Sequence, residues 1–519
     1  MGGLLLGIDL GTTGTKVSLV DAATGVLAAR SGTSPLYSDG PGWSEADTDI
    51  WWARVCGLVP EVLAAAGVDA AAVGGVACSG MVPAVVPVDG DGRALRRAIL
   101  QNDARAVAEI GEVQAALDRS GYDVLARTGS ALTQQSVAPT WRWLARHEPE
   151  VAARTRTILG SYDWLAVALG AEPHVETNWA LESGLFELDG RPADPVLAAA
   201  GLDGARCAPV RRPGEPVGTV SRSAAASSSL RAGTPIYAGG ADHVLAAYAA
   251  GLAEPGDWLV KLGGAGDILV VTDHPAIDRR WYLDAHPAPG RWLPNGCMAT
   301  SGSLLRWAQE LFGGEDLAAL DAEAAAAPAA GIVCLPYFLG EKSPLHDPDL
   351  RGAFVGLHLG HGRGHLFRAC MEAVAYGFRD HVDAFTGRGL ALGRARVSNG
   401  GSGSAVWKQI VADVLSTELW PVVDHGGAAV GAAFVAAVGS GAFAGWATAD
   451  RLVRLATPLV PDPANRTAYE EGYAMFVELQ ATLAPVSHRL AALGRSPAED
   501  RSPGEDRSPG DRSPAEDRS

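Results

Sequence analysis

The chain has 519 residues, of which 47% are hydrophobic and 19% charged, so it has enough apolar material for about two or three domains. That composition excludes a fibrous protein and a chain that is disordered throughout. Acidic residues number 59 against 42 Lys and Arg, which gives a net charge of −17, and no basic stripe appears. We therefore expect no nucleic-acid partner.

The sequence predicts a cytoplasmic protein. None of the six cysteines forms a Cys-x-x-Cys pair, which is typical of free thiols in a reducing compartment. The first residues lack a basic region and reach Asp9 too early for a signal peptide. Residues 70–88 are uncharged, but their glycines, prolines and alternating β-branched side chains favour two buried strands over a membrane helix. We therefore expect no membrane partner.

The first half of the chain alternates predicted strands and helices. An apolar run over 4–10 predicts a buried strand, and strands over 15–20 and 26–30 follow glycine turns, which together indicate a β-meander. A helix is predicted over 49–66, after an acidic N-cap. The alternation continues to about residue 250, the pattern of an α/β layered fold.

The second half begins with the same pattern as the first: a strand, a glycine turn and a returning strand. A predicted strand over 258–262 runs into a glycine turn at 263–266, and a strand over 268–272 returns. Long helices are predicted over 365–385 and 405–418, the second directly after a glycine-rich loop. The shared opening indicates a duplicated fold with two phosphate-facing hairpins.

We predict three parts of the chain: an N-terminal domain over 1–250, a C-terminal domain over 251–494, and a tail over 495–519. The tail repeats Arg-Ser-Pro followed by small and acidic residues, and it holds no apolar side chain larger than Ala. Such a segment cannot bury a core, so we predict that it is disordered.

The first candidate site is the end of the first strand. Asp9 is followed by a tight turn whose glycine lets backbone N–H groups approach a phosphate and whose threonines add donors: Gly11, Thr12 and Thr13. Asp9 could hold Mg²⁺, directly or through water. Lys16 follows Thr15 instead of Gly, so the segment is not a Walker A loop, and the next element is a strand, so it is not a dinucleotide fingerprint.

An ordinary glycine-rich hairpin would also explain this first turn. The second hairpin, with Gly263 and Gly264, strengthens the phosphate interpretation because two such turns can hold one phosphate chain between them. No Gly-x-Ser-x-Gly motif is present, which argues against a serine hydrolase.

Two further loops carry candidate chemistry. Asp242 follows a glycine pair and is well placed to act as a general base; an aspartate at this position is more often a helix cap, and both roles can coexist. A third glycine-rich loop offers a flat backbone surface for an adenine ring, although a plain connection between strand and helix is the alternative: Gly400, Gly401 and Ser402.

Several segments, in order along residues 1–490, resemble a known family. Residues 7–13 (Gly-Ile-Asp-Leu-Gly-Thr-Thr) resemble the first phosphate motif of the actin/hexokinase/Hsp70 ATPase superfamily. Residues 42–52, 98–105, 335–344 and 407–413 resemble signatures of the FGGY carbohydrate kinases, xylulokinase-like members in particular. The resemblance implies an α/β fold of two ribonuclease-H-like domains that flank a catalytic cleft.

The resemblance also implies roles for individual residues. Asp242 matches the catalytic base and Asp9 the magnesium-associated aspartate. The positions that match nucleotide-binding segments are Gly11, Thr12, Thr13, Lys16, Gly263, Gly264, Gly400, Gly401 and Ser402. The positions that match the sugar pocket are Met81, Val82, Asn102 and Asp103, beside Asp242. ATP and Mg²⁺ are the expected cofactors.

The implied activity is ATP-dependent phosphorylation of a small carbohydrate, and we predict a ketopentose such as xylulose. Two alternatives stay open: a kinase for a hexulose, a tetritol or glycerol, and a non-kinase ATPase of the same superfamily. Glycerol kinases carry Arg-Glu where this chain has Met81-Val82, and Hsp70 would need a peptide-binding domain after its ATPase. Dimers are common in the family, so a homodimer is one expectation.

Overall fold

The computed structural model of the protein describes residues 3–40, 42–314, 316–398 and 400–494. The segment 495–519, and with it the prediction of a disordered tail, lies outside the described residues.

The strands, in chain order, are β1 Leu4–Gly11, β2 Gly14–Asp21, β3 Gly25–Thr33, β4 Glu45–Ala46, β5 Val73–Gly80, β6 Val86–Val88, β7 Ala98–Ile99, β8 Thr157–Leu159, β9 Val175–Glu176, β10 Val210–Arg211, β11 Pro216–Thr219, β12 Pro235–Ala241, β13 Trp258–Leu262, β14 Gly266–Val270, β15 Tyr282–Ala285, β16 Trp292–Met298, β17 Val333–Leu335, β18 Ala353–Val355, β19 Ala395–Ser398, β20 Leu419–Val423 and β21 Arg454–Leu455.

The α-helices, in chain order, are α1 Thr48–Ala66, α2 Val107–Ser120, α3 Val124–Thr128, α4 Val137–His147, α5 Pro149–Arg154, α6 Ser161–Leu169, α7 Thr177–Ser183, α8 Asp194–Ala200, α9 Arg222–Ser228, α10 Asp242–Ala249, α11 Gly302–Leu311, α12 Leu317–Ala326, α13 Arg363–Gly387, α14 Ala405–Leu415, α15 Ala428–Gly439 and α16 Arg466–Gly494.

The first sheet has the strand order β11-β12-β5-β1-β2-β3. Its β1, β2 and β3 are antiparallel neighbours, which confirms the predicted meander, and β5 and β12 run parallel to β1. Helix α1 begins as predicted, because the Asp47 side chain accepts a hydrogen bond from the Asp49 amide. The uncharged segment 70–88 holds β5 and β6, which confirms the prediction of two strands. Across the described residues, no helix has the length and apolar character that a membrane span requires.

The second sheet repeats this topology with the order β15-β16-β14-β13-β19-β20-β21. An antiparallel hairpin, β13 and β14, lies beside the parallel strands β19 and β20, as β1 and β2 lie beside β5 and β12. Five consecutive strands of each sheet therefore share the order third-second-first-fourth-fifth: β3-β2-β1-β5-β12 in the first sheet and β16-β14-β13-β19-β20 in the second. This repeat confirms the α/β fold class and the duplicated architecture expected from the two matching hairpins.

Helix α15 packs on the first sheet although it lies late in the chain. Its backbone comes so close to β1 that a Cβ atom on Gly7 would lie 1.8 Å from the carbonyl oxygen of Ala429. Glycine is therefore required at this point of an otherwise apolar strand. Helix α15 also packs against α10, the helix that begins with Asp242. The two halves are thus joined by the packing of α15 on the first sheet as well as by the chain between them. The division at residue 250 stays a prediction.

Candidate active site

The first sheet brings three candidate residues to one edge. Strand β5 lies between β1 and β12, and its Gly80 is paired with Leu10 on one side and with Ala241 on the other. Because parallel strands end at the same edge of a sheet, the residues that come next, Met81 and Asp242, lie beside the first hairpin. The Met81 amide donates to the Leu10 carbonyl at 3.1 Å, which fixes this proximity.

Asp9 stands in strand β1 at this edge. Its Oδ1 atom is buried and has no hydrogen-bond partner among the described residues. Burial raises the pKa of Asp9 to about 7, and the negative charge of Asp242 acts in the same direction. Lys16 and Lys261 oppose this rise. Since Lys261 belongs to β13, the second sheet also contributes charge to this edge.

The residues around Asp9 fit a divalent cation. Each neighbouring lysine has a hydrogen-bond partner elsewhere: Lys16 Nζ donates to the Gly426 carbonyl at 2.8 Å, and Lys261 Nζ lies 2.8 Å from Asp267 Oδ2. The Asp9 carboxylate is thus a hard, buried oxygen donor with an unpaired atom, which is the ligand type that Mg²⁺ prefers. The carboxylate therefore suits the magnesium-binding role expected of Asp9, and the assignment of Mg²⁺ to Asp9 remains a proposal.

The raised pKa of Asp9 predicts a stability effect. The folded protein keeps a proton on Asp9 that the unfolded chain releases from about pH 4, so stability falls as pH rises through the window from about 4 to 7 and stays reduced above it. We expect Asp9→Asn to raise Tm by roughly 2–4 °C at pH 8 in EDTA, with little change at pH 4. Scanning calorimetry at both pH values checks this.

Asp21 supplies the matched control for that measurement, because it lies half-buried at the far end of the same hairpin. The Ala23 amide lowers the pKa of Asp21, so Asp21→Asn should leave Tm unchanged or lower it at pH 8. A lower Tm for Asp9→Asn at pH 8 would contradict the burial argument.

The second hairpin lies against the start of helix α11. The Gly302 amide donates to the Gly263 carbonyl at 2.8 Å, and the Ser301 amide and the Ser303 hydroxyl donate to the Gly264 carbonyl at 2.9 and 2.8 Å. These bonds fix the turn although neither Gly264 nor Ala265 carries a side-chain hydroxyl group. The hairpin therefore offers backbone groups alone to a phosphate.

A cavity of about 550 Å³ joins the second hairpin to the third glycine-rich loop. Because β19 runs parallel to β13, the 3-10 turn Gly400–Gly403 lies beside the hairpin. Gly263, Gly264, Gly400 and Gly401 line this cavity, and Trp407 and Phe367 add apolar surface. Ser402 lies in the same turn. A flat apolar wall next to glycine turns is suited to an adenine ring.

A larger cavity, of about 830 Å³, lies between α2–α3 and the segments around Tyr282 and His346. None of the predicted site residues lines it. The predicted glycines of the second hairpin and the third loop line the smaller cavity instead.

The predicted sugar-side residues occupy different environments. Met81 and Val82 are buried, and the Ser161 hydroxyl donates to the Met81 carbonyl at 2.8 Å. Asn102 is exposed. Asp103 is buried and already saturated: its Oδ1 accepts from the Arg105 amide and Nε, and its Oδ2 from Arg105 Nη2 and the Ser44 amide. Their contact with a sugar remains a prediction.

The structure places a further group beside Asp242 that the sequence analysis did not identify. His243 Nε2 lies 2.9 Å from Asp284 Oδ2 and 3.9 Å from Glu182 Oε1. These residues come from α10, β15 and α7. No motif marks Glu182 or Asp284, and the one available signal was an acidic residue inside the apolar strand β15.

Several of the solved structures and curated proteins similar to this chain are sugar kinases. The crystal structure of xylulose kinase from Rhodospirillum rubrum is 43% identical, with a TM-score of 0.86 over 94% of this chain and 100% of that one. Xylulose kinase of Bacillus subtilis is 27% identical over 479 residues, which cover 91% of this chain and 95% of that protein. Gluconate kinase from Lactobacillus acidophilus has a TM-score of 0.87 at 19% identity, a likeness of fold alone.

Two family models match consecutive parts of the chain. The N-terminal domain of the FGGY family of carbohydrate kinases matches residues 4–249, and the C-terminal domain matches residues 264–440. These matches agree with the two sheets, with the paired hairpins and with the whole-chain likeness to sugar kinases. The chain belongs to the FGGY family of carbohydrate kinases.

Proposed function

We propose that this sugar kinase transfers the γ-phosphoryl group of ATP to a hydroxyl of a ketopentose, xylulose in particular. The observation that carries the proposal is the proximity of Asp9 and Asp242 to Lys261 of the second sheet, beside which the glycines of the second hairpin and the third glycine-rich loop line a cavity of about 550 Å³. The likeness to the xylulose kinases of Rhodospirillum rubrum and Bacillus subtilis supports the choice of sugar.

Phosphoryl transfer depends on positioning and on charge neutralisation more than on covalent chemistry. We infer that Asp242 accepts the proton of the attacking hydroxyl, for which its half-buried side chain is available. Backbone amides of Gly11, Thr12 and Thr13 and of the second hairpin would orient the β- and γ-phosphates. Asp9 would hold Mg²⁺, which when bound neutralises phosphate charge.

The proposal extends to where the enzyme acts. All six cysteines are free thiols, which supports a reducing compartment such as the cytoplasm. A homodimer stays an expectation from the family, and the molecular mass in solution would test it.

An ADP-release assay against a panel of ketoses, aldoses and polyols tests the substrate proposal. We expect the highest kcat/KM for a ketopentose, with little ADP formed when water is the sole acceptor. A higher kcat/KM for glycerol, a tetritol or a hexulose would reassign the substrate, and sugar-independent ADP release would favour an ATPase.

A further inference from the structure

The imidazole of His243 lies between carboxyl groups on both of its nitrogen atoms. Nδ1 lies 3.4 Å from Asp242 Oδ1, and Nε2 lies 2.9 Å from Asp284 Oδ2. The His243 amide donates to the same Asp242 Oδ1 at 2.6 Å. Residue 243 therefore engages one oxygen of Asp242 twice, and within the described part of the chain no hydrogen bond reaches the other oxygen.

The groups behind His243 are enclosed in protein. The Asp284 side chain is fully buried and that of Glu182 is 9% exposed, whereas Asp242 is 36% exposed. Asp284 Oδ1 and Glu182 Oε1 are buried without a hydrogen-bond partner among the described residues. Burial and the neighbouring Asp284 raise the pKa of Glu182 well above its usual range, so the negative charge on the side of the ring away from Asp242 is mainly that of Asp284, which lies at hydrogen-bonding distance from His243.

These surroundings favour a charged imidazole. Burial by itself lowers the pKa of His243, but Asp284, Asp242 and Glu182 together raise it well above the usual value. Other charged groups also act on this part of the site: Asp267 on β14 interacts with His243, and Asp9 on β1 and Lys261 on β13 interact with Asp242. A protonated imidazole donates from both nitrogens, so His243 can bridge the half-buried Asp242 carboxylate and the buried Asp284 and Glu182.

We propose that His243 is a positioning residue that holds Oδ1 of Asp242, with Asp284 and Glu182 holding His243 in turn, so that Oδ2 of Asp242 is left for the acceptor hydroxyl. The inference rests on the proposed function of Asp242 as the base. Asp284 belongs to β15 of the second sheet, whereas Asp242 directly follows β12 of the first. The base is therefore oriented by both sheets.

Asp284→Asn tests the charge at this position with little change in shape. Without the Asp284 carboxylate, the pKa of His243 should fall, because burial still lowers it while its strongest charge partner is gone. We expect kcat of the variant, relative to the unchanged enzyme, to fall at least ~10-fold between pH 6 and pH 9, while KM for ATP stays within about twofold. Asp284→Glu, which restores the charge, should recover part of the loss at high pH.

His286→Asn is the matched control, because His286 is buried just beyond the same strand and contacts the Leu252 carbonyl and the Ala288 amide. It should lower Tm without adding a pH-dependent loss of kcat. If Asp284→Asn shows the same pH profile as the unchanged enzyme, the proposal is wrong.

An NMR titration of the protein without substrate separates this inference from the proposed function. The imidazole C–H resonance of His243, assigned by its loss in His243→Asn, should titrate well above pH 6.5 in the unchanged protein and at lower pH in Asp284→Asn. A titration near or below pH 6.5 in the unchanged protein would overturn the inference even if the sugar kinase activity is found. A stoichiometric metal ion that co-purifies and is lost in His243→Asn would overturn it as well, because that ion would take the place of the proton.

Discussion

Asp242→Asn is expected to lower kcat by at least ~10²-fold, because the amide cannot accept the proton of the attacking hydroxyl. Asp242 begins α10 at the carboxyl edge of the first sheet, and its side chain is only partly buried. The substitution keeps the size of the side chain and its acceptor oxygen, so the hydrogen bond from the His243 amide can persist. ATP binding should therefore be retained.

Steady-state kinetics and calorimetric titration with ATP separate the two effects. Asp189→Asn changes an exposed carboxylate that is paired with Arg191, and it should leave kcat unchanged. Turnover of Asp242→Asn close to that of the unchanged enzyme would remove Asp242 from the chemistry. Loss of ATP binding together with turnover would indicate instead that Asp242 supports the nucleotide site.

Gly401→Ala is expected to weaken ATP binding about tenfold or more. A Cβ atom at this position would lie 2.4 Å from Cζ3 of Trp407 and 2.8 Å from Cβ of Leu262. Both neighbours line the cavity assigned to adenosine, so one of them or the loop must move. Overpacking of this kind costs about 1–3 kcal/mol, and about 1.4 kcal/mol corresponds to a factor of ten in affinity.

Gly387→Ala is the matched control, since a Cβ atom there also meets nothing within 4 Å and Gly387 does not line the cavity. We expect its dissociation constant for ATP to stay within about twofold of the unchanged protein. Calorimetric titration of both variants, with Tm as a check on folding, gives the comparison. Equal affinities for the two variants would place the adenosine group elsewhere.

The local pattern of the sequence was sufficient to predict the strands and helices that carry the site. The apolar run before Asp9, the glycine turns and the caps predicted β1, β2, α1 and α14, and the structure confirms them. The boundaries shifted where the pattern is weak: β14 begins at Gly266, inside the predicted turn. The repeated hairpin also predicted the duplicated topology, because both hairpins pair with parallel strands in the same order.

Contacts between distant segments could not be predicted in this way. The sequence of α15 indicates only an apolar helix in the second half of the chain. In the structure it covers the first sheet, because Gly7 lets the backbone of α15 approach β1. Asp103 was assigned to the sugar from the resemblance, whereas its hydrogen bonds to Arg105 and Ser44 depend on the folded chain. The cluster around His243 gathers residues from three elements, and no spacing along the chain reveals it.

A crystal structure with a non-hydrolysable ATP analogue, Mg²⁺ and xylulose tests the central claim most directly. We predict the phosphates between the hairpins at Gly11–Thr13 and Gly263–Gly264, with a sugar hydroxyl within hydrogen-bonding distance of Asp242. A nucleotide bound away from both hairpins, or a sugar with no hydroxyl near Asp242, would contradict the account.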